Sequence, residues 1–416
     1  MDLELVTVGT ELLLGFTIDT NAAEIGRAVS AVGARVVRRA SVGDDVQAIR
    51  EAVADGLRRT GFVVVTGGLG PTTDDVTKRA VAELFDAPLE VHEEYLRELK
   101  DRFARYGRAP MPPSNRSQAE VPRGATVLHN PRGTAPGLLL EGELGAVMLL
   151  PGVPLEMRLM VEAHLVPLLE RLAGSDPSAR RVTRSRTLRT TGITESGLAS
   201  GIAQVEQKLE DVSLAFLPGW DGVDLRLTAW NLPEERADVV LDRAEAALRP
   251  ILGEHHYGVD ETDLAGVVID RLRERDLTLA VAESCTGGIV GARLTAMPGA
   301  SDVFRGAVAA YANEIKIHLL GVPAGLIEAE GAVSEAVARA MAHGVSQACG
   351  SSAAVAVTGI AGPAGGTVEK PVGTVWLAAT VGALARSRRV HFPGDREEVR
   401  HRAAQAALDL LRRLLS

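Results

Sequence analysis

Short apolar runs alternate with helix-length segments in two separate parts of the chain. The first part has such runs at residues 3–8, 35–40, 62–66 and 146–150, and the last part has them at residues 277–282, 307–311, 353–358 and 373–379. Strands that alternate with helices form βαβ units around a mostly parallel sheet. The pattern predicts two three-layer α/β domains, whose ligands bind beyond the carboxyl ends of the strands.

A smaller unit is predicted between these two parts. Residues 186–190, 213–218 and 223–230 have the pattern of strands and residues 195–209 and 234–248 that of helices, which indicates a compact α+β domain. The polar, proline-containing segment 174–180 is typical of a linker. A chain of 416 residues is long enough for three cores, and the predicted domains are residues 1–173, 174–255 and 256–416.

Charge and composition narrow the classes of partner. A net charge of −9 argues against direct electrostatic binding to nucleic acid. The basic run of the chain is expected to be a solvated linker and strand face; it comprises Arg180, Arg181, Arg184, Arg186 and Arg189. Residues 219–222 have the spacing of the GXXG loop of KH domains, but the inner residues are not basic. The acidic start of the chain and the lack of a long apolar run predict a cytoplasmic protein with no membrane span.

The first candidate site is the glycine-rich segment 66–75, TGGLGPTTDD, which follows a strand. Gly68 and Gly70 would let backbone amides approach a phosphate closely. Carboxylates beside a phosphate usually need a cation between them, so we expect a divalent metal ion held by Asp74, Asp75, Glu11 and Asp44. The alternative is that Asp74 or Asp75 caps the following helix, 76–85.

A second motif of the first domain, residues 130–137, has the sequence NPRGTAPG. The Asn130 amide and the Thr134 hydroxyl suit contacts with a ribose and a phosphate. The alternative is a simple hairpin loop between two strands.

The second candidate site is the segment 282–288, AESCTGG, which also follows a strand. Ser284 would lie at a helix start, where backbone amides around Thr286 and Gly287 can hold an oxyanion. Lys316, partly desolvated, would act as the base for Ser284, and Tyr311 would position the proton. The alternatives are that Ser284 is a helix cap and Lys316 a solvated residue.

Cys285 is a rival nucleophile beside Ser284, unless it turns towards the core and is a packing residue. With Cys349 it makes only two cysteines, too few for a disulfide framework. Further along the chain, Thr358 and Gly359 begin a glycine loop that can cradle a phosphate, and Arg396 can pair with that phosphate. As bare loops, these segments also have a purely structural interpretation.

These motifs resemble a known family. Segments 9–13, 66–77, 130–137 and 150–154 resemble the molybdopterin-binding type of fold, and more closely the amino-terminal domain of the CinA competence/damage-inducible family. The resemblance implies a metal-dependent pyrophosphatase that converts ADP-ribose into AMP and ribose 5-phosphate. It also implies that the middle unit is a small KH-like domain.

The last domain resembles the carboxy-terminal CinA domain, a nicotinamide-nucleotide amidase of the PncC type, over residues 277–396. The resemblance implies hydrolysis of nicotinamide mononucleotide to nicotinate mononucleotide and ammonia, without a cofactor. It implies catalytic roles for Ser284, Tyr311 and Lys316 and a phosphate contact for Arg396.

Two other classes of function stay open at this point. The first domain can be a pterin- or nucleotide-binding module without hydrolytic activity. The whole chain can instead be a damage-response scaffold that contacts recombination proteins through its middle domain. We expect small-molecule nucleotides as ligands and a homodimer as the assembly.

Overall fold

The computed structural model describes residues 1–173 and 181–416. The predicted linker, 174–180, which includes Arg180, lies outside the described residues. The chain divides into two compact units: Met1–Arg184 with Trp230–Asp238, and Ser185–Ala229 with Val239–Ser416. This division does not test the predicted domain limits, which stay a prediction.

The first unit is an α/β fold in which strands and helices largely alternate. Its elements are β1 (Asp2–Val8), α1 (Thr10–Leu13), α2 (Thr20–Ala31), β2 (Arg35–Val42), α3 (Val46–Thr60), β3 (Phe62–Thr66), α4 (Thr77–Leu84), β4 (Leu89–Val91), α5 (Glu93–Arg105), a 3-10 helix (Pro113–Ala119), β5 (Glu120–Pro122), β6 (Thr126–Leu128), β7 (Gly137–Gly142), β8 (Gly145–Leu150), α6 (Pro154–Met160), a π-helical turn (Val161–Leu165) and α7 (Val166–Ala173).

Six of these strands form one sheet, in the order β2-β1-β3-β8-β7-β6. The pairs β1 with β2, β1 with β3, and β3 with β8 are parallel, as the alternation predicts. Strand β3, with the sequence FVVVT, is buried along its whole length, because helices cover both faces of a central parallel strand. Beyond β8 the sheet continues with antiparallel β7 and β6.

The remaining elements run from residue 181 to the carboxyl end. They are β9 (Arg181–Thr190), α8 (Glu195–Glu206), β10 (Val212–Pro218), β11 (Val223–Pro233), α9 (Glu234–Leu252), a 3-10 helix (Gly253–His255), β12 (His256–Val259), α10 (Leu264–Glu274), β13 (Leu279–Glu283), α11 (Ile289–Thr295), a 3-10 helix (Ala300–Asp302), β14 (Phe304–Ala309), α12 (Asn313–Leu320), α13 (Ala324–Glu330), α14 (Glu335–Cys349), β15 (Ala353–Gly359), β16 (Thr374–Val381), β17 (Leu384–His391) and α15 (Arg396–Leu414).

The middle sheet has the order β10-β11-β9-β12 and carries the basic run on β9. These arginines were expected to be solvated; instead, several are ion-paired. Arg186 contacts Asp242 and Glu245 of α9 at 2.8 and 2.7 Å, and Arg189 contacts Asp224 at 3.0 Å. Arg184 pairs with Glu234 and Asp238. Acidic partners from α9 and β11 therefore neutralise this strand.

The last sheet has the order β14-β13-β15-β16-β17. Strand β13, LAVAE, and strand β15, AAVAVTG, alternate small and larger apolar residues, and alternate side chains point to opposite faces. Ala280, Ala282, Ala354 and Ala356 pack in a cluster with the residues of α14, while Leu279, Val281, Val355 and Val357 pack with those of α10 and α15. This two-faced burial is what places the carboxyl ends of β13 and β15 side by side.

Within the described residues, no helix combines the length and the apolar character that crossing a bilayer requires.

Candidate functional site

The chain turns sharply where β13 ends, and Ser284 lies in this turn. Its side chain is only 9% exposed, and its amide donates a hydrogen bond to the Val357 carbonyl at 2.9 Å. The Gly287 amide donates back to the Ser284 carbonyl at 3.2 Å, and Gly287 and Gly288 have φ values of +59° and +104°. Glycine adopts this backbone without strain, so the two glycines allow the turn after the serine to lead into α11 at Ile289.

Glu283, the residue before the serine, was not predicted to have a role. It is fully buried, and its carboxylate accepts hydrogen bonds from the amides of Gly288, Val290 and Gly291 at 2.9, 3.1 and 2.9 Å. A carboxylate is favoured at a helix N-terminus because of the unpaired amides and the helix dipole. The sequence signal was an acidic residue at the end of an otherwise apolar strand.

The position of Glu283 changes the predicted oxyanion site. The first amides of α11 were expected to be available to a ligand; this is wrong for Gly288, Val290 and Gly291, which bind Glu283. The Gly287 amide is also used within the turn. Within the described residues, the amides of Cys285 and Thr286 make no hydrogen bond to a backbone carbonyl, although both lie close enough to the Cys285 sulfur to act against the rise of its pKa. These two amides are the remaining candidates for holding an oxyanion.

Lys316 lies on α12 and is only 1% exposed. Its Nζ donates to the Tyr311 carbonyl at 3.2 Å. Burial lowers the pKa of Lys316, while the nearby acidic groups of Cys285 and Glu314 act in the opposite direction. A lysine with a lowered pKa loses its proton more readily and can act as a base. The interpretation of Lys316 as a solvated residue is therefore wrong.

The structure separates the roles of Ser284 and Cys285. Burial raises the pKa of the Cys285 thiol to about 12, so the reactive thiolate is suppressed. The sulfur packs against Gly359, where an added Cβ would lie 3.0 Å from it. Cys285 is thus a packing residue in the core of the last sheet. Within the described residues, Ser284 Oγ and Lys316 Nζ make no direct hydrogen bond to each other; such catalytic contacts often form only with substrate bound.

Tyr311 and Arg396 come together at the rim of this site. Tyr311 is 63% exposed, and its hydroxyl accepts a hydrogen bond from Arg396 Nη2 at 2.8 Å. Arg396 Nη1 donates to the Gly362 carbonyl at 2.7 Å. Since the Tyr311 carbonyl also binds Lys316, Tyr311 connects the buried base to an exposed guanidinium.

Thr286, Thr358 and Gly359 were all predicted to contact the ligand, but their surroundings differ. The Thr286 hydroxyl is buried and has no partner among the described residues, and the same is true of Thr374, which was not predicted. Buried polar atoms are normally paired, so these two hydroxyls suit a ligand. The Thr358 hydroxyl instead donates to the Ala332 carbonyl at 2.8 Å, and Gly359 has no room for a side chain. Thr358 and Gly359 therefore support the structure around the site, and neither offers a free side-chain group to a ligand.

Arg400 of α15 is a further residue that was not predicted. Its Nε donates to the Cys285 carbonyl at 3.2 Å and its Nη2 to the Thr286 carbonyl at 2.9 Å. These two bonds fasten the turn that carries Ser284 to the last helix. An arginine on an amphipathic helix has no local signal for this role.

In the first unit, the glycine-rich loop is closed by its own aspartate. Asp75 accepts hydrogen bonds from the Gly70 amide at 2.7 Å and from the Thr72 amide and hydroxyl at 2.8 and 2.5 Å. The Gly70 amide is therefore not available to a phosphate. The alternative that Asp74 or Asp75 caps the helix is wrong, because α4 begins at Thr77 without a side-chain cap.

Gly68 has a φ of +65°, and an added Cβ would lie 2.2 Å from the Thr77 hydroxyl. The neighbouring Gly67 is equally constrained: its φ is +109°, and an added Cβ would lie 2.2 Å from the Val8 carbonyl. The Thr77 hydroxyl donates to the Gly67 carbonyl at 2.9 Å. The two glycines are thus required for the close approach of this loop to the end of β1.

The predicted metal ligands lie on neighbouring loops, but they are used differently. Asp44 Oδ2 accepts hydrogen bonds from the Thr10 amide and hydroxyl at 2.9 and 2.7 Å, which joins the loops after β1 and β2. The Glu11 carboxylate is exposed and makes no hydrogen bond or ion pair within the described residues. In residues 1–173 and 181–416, no three His, Cys, Asp or Glu side chains are close enough to hold a metal ion. The predicted ligands thus do not fit a metal site made by the protein alone.

The motif at residues 130–137 forms the loop between β6 and β7. The buried Asn130 amide donates to the Ala135 carbonyl at 2.8 Å and to Glu156 at 2.7 Å, and its oxygen accepts the amides of Arg132 and Gly133. Asn130 therefore organises the loop and has no donor left for a ligand. Thr134 lines a cavity of about 250 Å³ together with Arg102, Arg108 and Arg132. These arginines, and not Asn130, are therefore the side chains suited to bind a phosphate.

Lys78, which was not predicted, follows the glycine-rich loop on α4. Its Nζ donates to the Glu120 carbonyl at 3.1 Å and to the Ser117 carbonyl. Burial lowers its pKa to about 8, against the negative charges of Glu120 and Asp75. It anchors the 3-10 helix and β5 to this edge of the unit.

Three families match successive parts of the chain. A probable molybdopterin-binding domain matches residues 4–171, the KH domain of damage-inducible protein CinA matches residues 185–258, and the CinA C-terminal domain matches residues 261–415. A CinA-like protein of Gemmatimonas aurantiaca is 53% identical over 416 residues, covering 99% of this chain and 96% of the relative. The chain belongs to the CinA family.

Other CinA proteins are similar over different lengths. A putative competence-damage inducible protein of Symbiobacterium thermophilum is 45% identical over 424 residues, covering 99% of this chain and 98% of the relative. A CinA crystal structure from Thermoplasma acidophilum, titled as of unknown function, is 36% identical, covers 40% of this chain and 97% of that chain, and has a TM-score of 0.38. The family and the three-part α/β fold class expected from the motifs are confirmed.

Proposed function

We propose that the CinA C-terminal domain hydrolyses nicotinamide mononucleotide to nicotinate mononucleotide and ammonia. The observation that carries the proposal is Lys316, a buried lysine whose Nζ donates to the Tyr311 carbonyl at 3.2 Å and whose pKa is lowered by burial. The fully buried Cys285, with its raised pKa, leaves the serine as the nucleophile of this turn.

The chemistry follows from these positions. Neutral Lys316 accepts the Ser284 hydroxyl proton as Oγ attacks the carboxamide carbon, and the amides of Cys285 and Thr286 are the donors for the oxyanion. The C–N bond then breaks, the Lys316 proton passes to the leaving ammonia, and an acyl ester remains on Ser284. Water, deprotonated by Lys316, then attacks this ester; the bond between Oγ and the acyl carbon breaks, Oγ takes the proton back from Lys316, and the nicotinate product is released. Tyr311 orients Lys316 through its carbonyl, and Arg396 is positioned for the phosphate of the nucleotide.

The test is ammonia release from nicotinamide mononucleotide by the purified full chain. Ser284→Ala and Lys316→Ala should each lower kcat by about 10³-fold or more, because each removes one half of a coupled pair. Cys285→Ala, which alters the neighbouring side chain without touching the pair, should retain activity. Absence of ammonia from the wild type, or loss only in Cys285→Ala, would contradict the proposal.

A second proposal concerns the first unit, which we infer to cleave ADP-ribose to AMP and ribose 5-phosphate. The observation in its favour is an arginine-lined cavity at the loop that carries Thr134, in the same unit as the glycine-rich loop. Because the described carboxylates do not form a complete set of metal ligands, the expected divalent ion would take further oxygens from the diphosphate or water. No step of the reaction is assigned to it.

This second activity is tested by AMP formation from ADP-ribose with and without a chelator. Arg132→Ala should weaken turnover, with exposed Arg97→Ala on α5 as the matched control. Binding of ADP-ribose without AMP formation would favour a non-hydrolytic nucleotide-binding module instead. The cytoplasmic location, the homodimer and the link to recombination proteins remain predictions. Deletion of residues 174–255 tests the scaffold hypothesis. If the shortened chain keeps both activities but no longer binds a recombination protein, the damage-response scaffold is favoured.

A further inference from the structure

A cavity of about 620 Å³ lies within the second unit, away from the Ser284 turn. Its walls are the loop after β9, the hairpin turn between β10 and β11, the end of β17 and one face of α15. Pockets for small molecules commonly have volumes of about 300–1,000 Å³. The cavity is therefore large enough for a mononucleotide.

Two buried N–H donors in the lining residues lack an acceptor. Gln405 is 2% exposed; its Oε1 accepts a hydrogen bond from Arg293 Nη1 at 2.7 Å, which fixes the orientation of the amide. Gln405 Nε2 and Arg402 Nε are both buried and have no partner within the described residues. Leaving a buried donor unpaired is unfavourable, so this wall suits a ligand with acceptor atoms.

The charges around the cavity favour an anion. The Arg388 side chain is exposed and makes no hydrogen bond or ion pair within the described residues, and the Arg389 side chain donates to the Glu369 carbonyl at 3.0 Å. Arg402 is 3.7 Å from its nearest carboxylate, Glu398.

Three carboxylates line the same cavity, and two of them are neutralised. Asp221 pairs with Arg293 at 3.4 Å, and Asp409 pairs with Arg412 and Arg413 at 2.6 and 2.7 Å. Glu195, in the first turn of α8, is the third. Two arginines of the wall, Arg388 and Arg389, and one carboxylate, Glu195, are therefore in no ion pair within the described residues, which leaves an excess of positive charge.

Trp220 adds a flat apolar surface to this polar wall. Its side chain is 44% exposed, and its ring stacks on His401 with the centroids 4.8 Å apart. A planar base can stack favourably on an exposed indole. The hairpin that resembled a GXXG loop thus contributes an aromatic face to a small-molecule cavity.

We propose that this cavity binds a small organic phosphate of mononucleotide size. The phosphate oxygens accept hydrogen bonds from Arg402 Nε and Gln405 Nε2, Arg388 supplies a balancing charge, and the planar ring stacks on Trp220. The site is separate from Ser284 and Lys316, so the proposal does not depend on the amidase.

The probe is AMP, with inorganic phosphate as its competitor, titrated into the full chain with Trp230→Phe and Trp376→Phe. Trp220 is then the only tryptophan, because the chain has three, and its fluorescence reports on this cavity rather than on the other nucleotide sites. We expect saturable quenching by AMP that phosphate reverses. The same titration in the Ser284→Ala background should give the same result, whatever the outcome for ammonia release.

Three substitutions locate the binding. Gln405→Glu keeps the acceptor for Arg293 but replaces the free donor with a carboxylate, and it should raise the Kd at least about tenfold. Arg388→Ala, at an exposed position that does not endanger folding, should also raise the Kd. Gln347→Glu makes the same charge change on the exposed face of α14 and should leave the Kd unchanged. Absence of quenching at millimolar AMP would overturn the proposal. So would a Kd in both Gln405→Glu and Arg388→Ala that equals the Kd of the protein with the original residues at these positions.

Discussion

Glu283→Gln should destabilise the second unit by about 3 kcal/mol. The buried carboxylate accepts three amide hydrogen bonds at 2.9–3.1 Å, and a bond to a charged group contributes about 1.5–3 kcal/mol. In glutamine, one oxygen can still accept the amides of Gly288 and Val290, although as a neutral group. The new NH₂ group then faces the Gly291 amide, which leaves two buried donors against each other.

The measurement is the urea midpoint of the second unit in the full chain, followed by circular dichroism, with the free energy taken from the midpoint and the slope. Glu274→Gln is the matched control, since Glu274 is exposed on α10 of the same unit, and a surface change of this kind should stay within about 0.5 kcal/mol. If the two variants unfold at the same urea concentration, the three bonds do not stabilise the start of α11 as argued.

Three further predictions follow from single contacts. Because burial lowers the pKa of Lys316 and only the neutral amine is a base, kcat/KM for ammonia release should rise as pH rises through a pKa below that of free lysine; a flat pH–rate profile would contradict this. Gly359→Ala should cost about 1–3 kcal/mol in urea denaturation, since its Cβ would lie 2.7 Å from the Val375 side chain; unchanged stability would refute the tight contact. Asp44→Asn should lower the stability of the first unit by about 1 kcal/mol, through weaker bonds to Thr10; loss of ADP-ribose cleavage without loss of stability would instead indicate a direct role in the reaction.

For the hairpin turn at Trp220, the sequence argued against nucleic-acid binding but did not predict the tertiary contacts of the turn. Its spacing matched a GXXG loop, and the lack of basic inner residues argued against nucleic-acid binding. Asp221 instead pairs with Arg293, and Trp220 stacks on His401. These partners are about 70 and 180 residues away in the sequence, and no local pattern connects them.

The strands, the helices and the two glycine turns were predictable because their signals are local. Apolar alternation distinguishes strands from helices, and paired glycines indicate a backbone with positive φ. These signals placed Ser284 and the 66–75 loop correctly at strand ends. The resemblance of the motifs then identified the family.

Only the tertiary structure decided which polar groups remain available for chemistry. The Glu283 carboxylate accepts hydrogen bonds from the helix amides next to Ser284, and Asp75 accepts one from the Gly70 amide. The side-chain NH₂ group of Asn130 donates to Ala135 and Glu156. The great majority of buried donors and acceptors in a folded protein are paired. Which partner it finds depends on how the chain packs, because burial and hydrogen bonding are properties of the assembled fold and not of residue spacing.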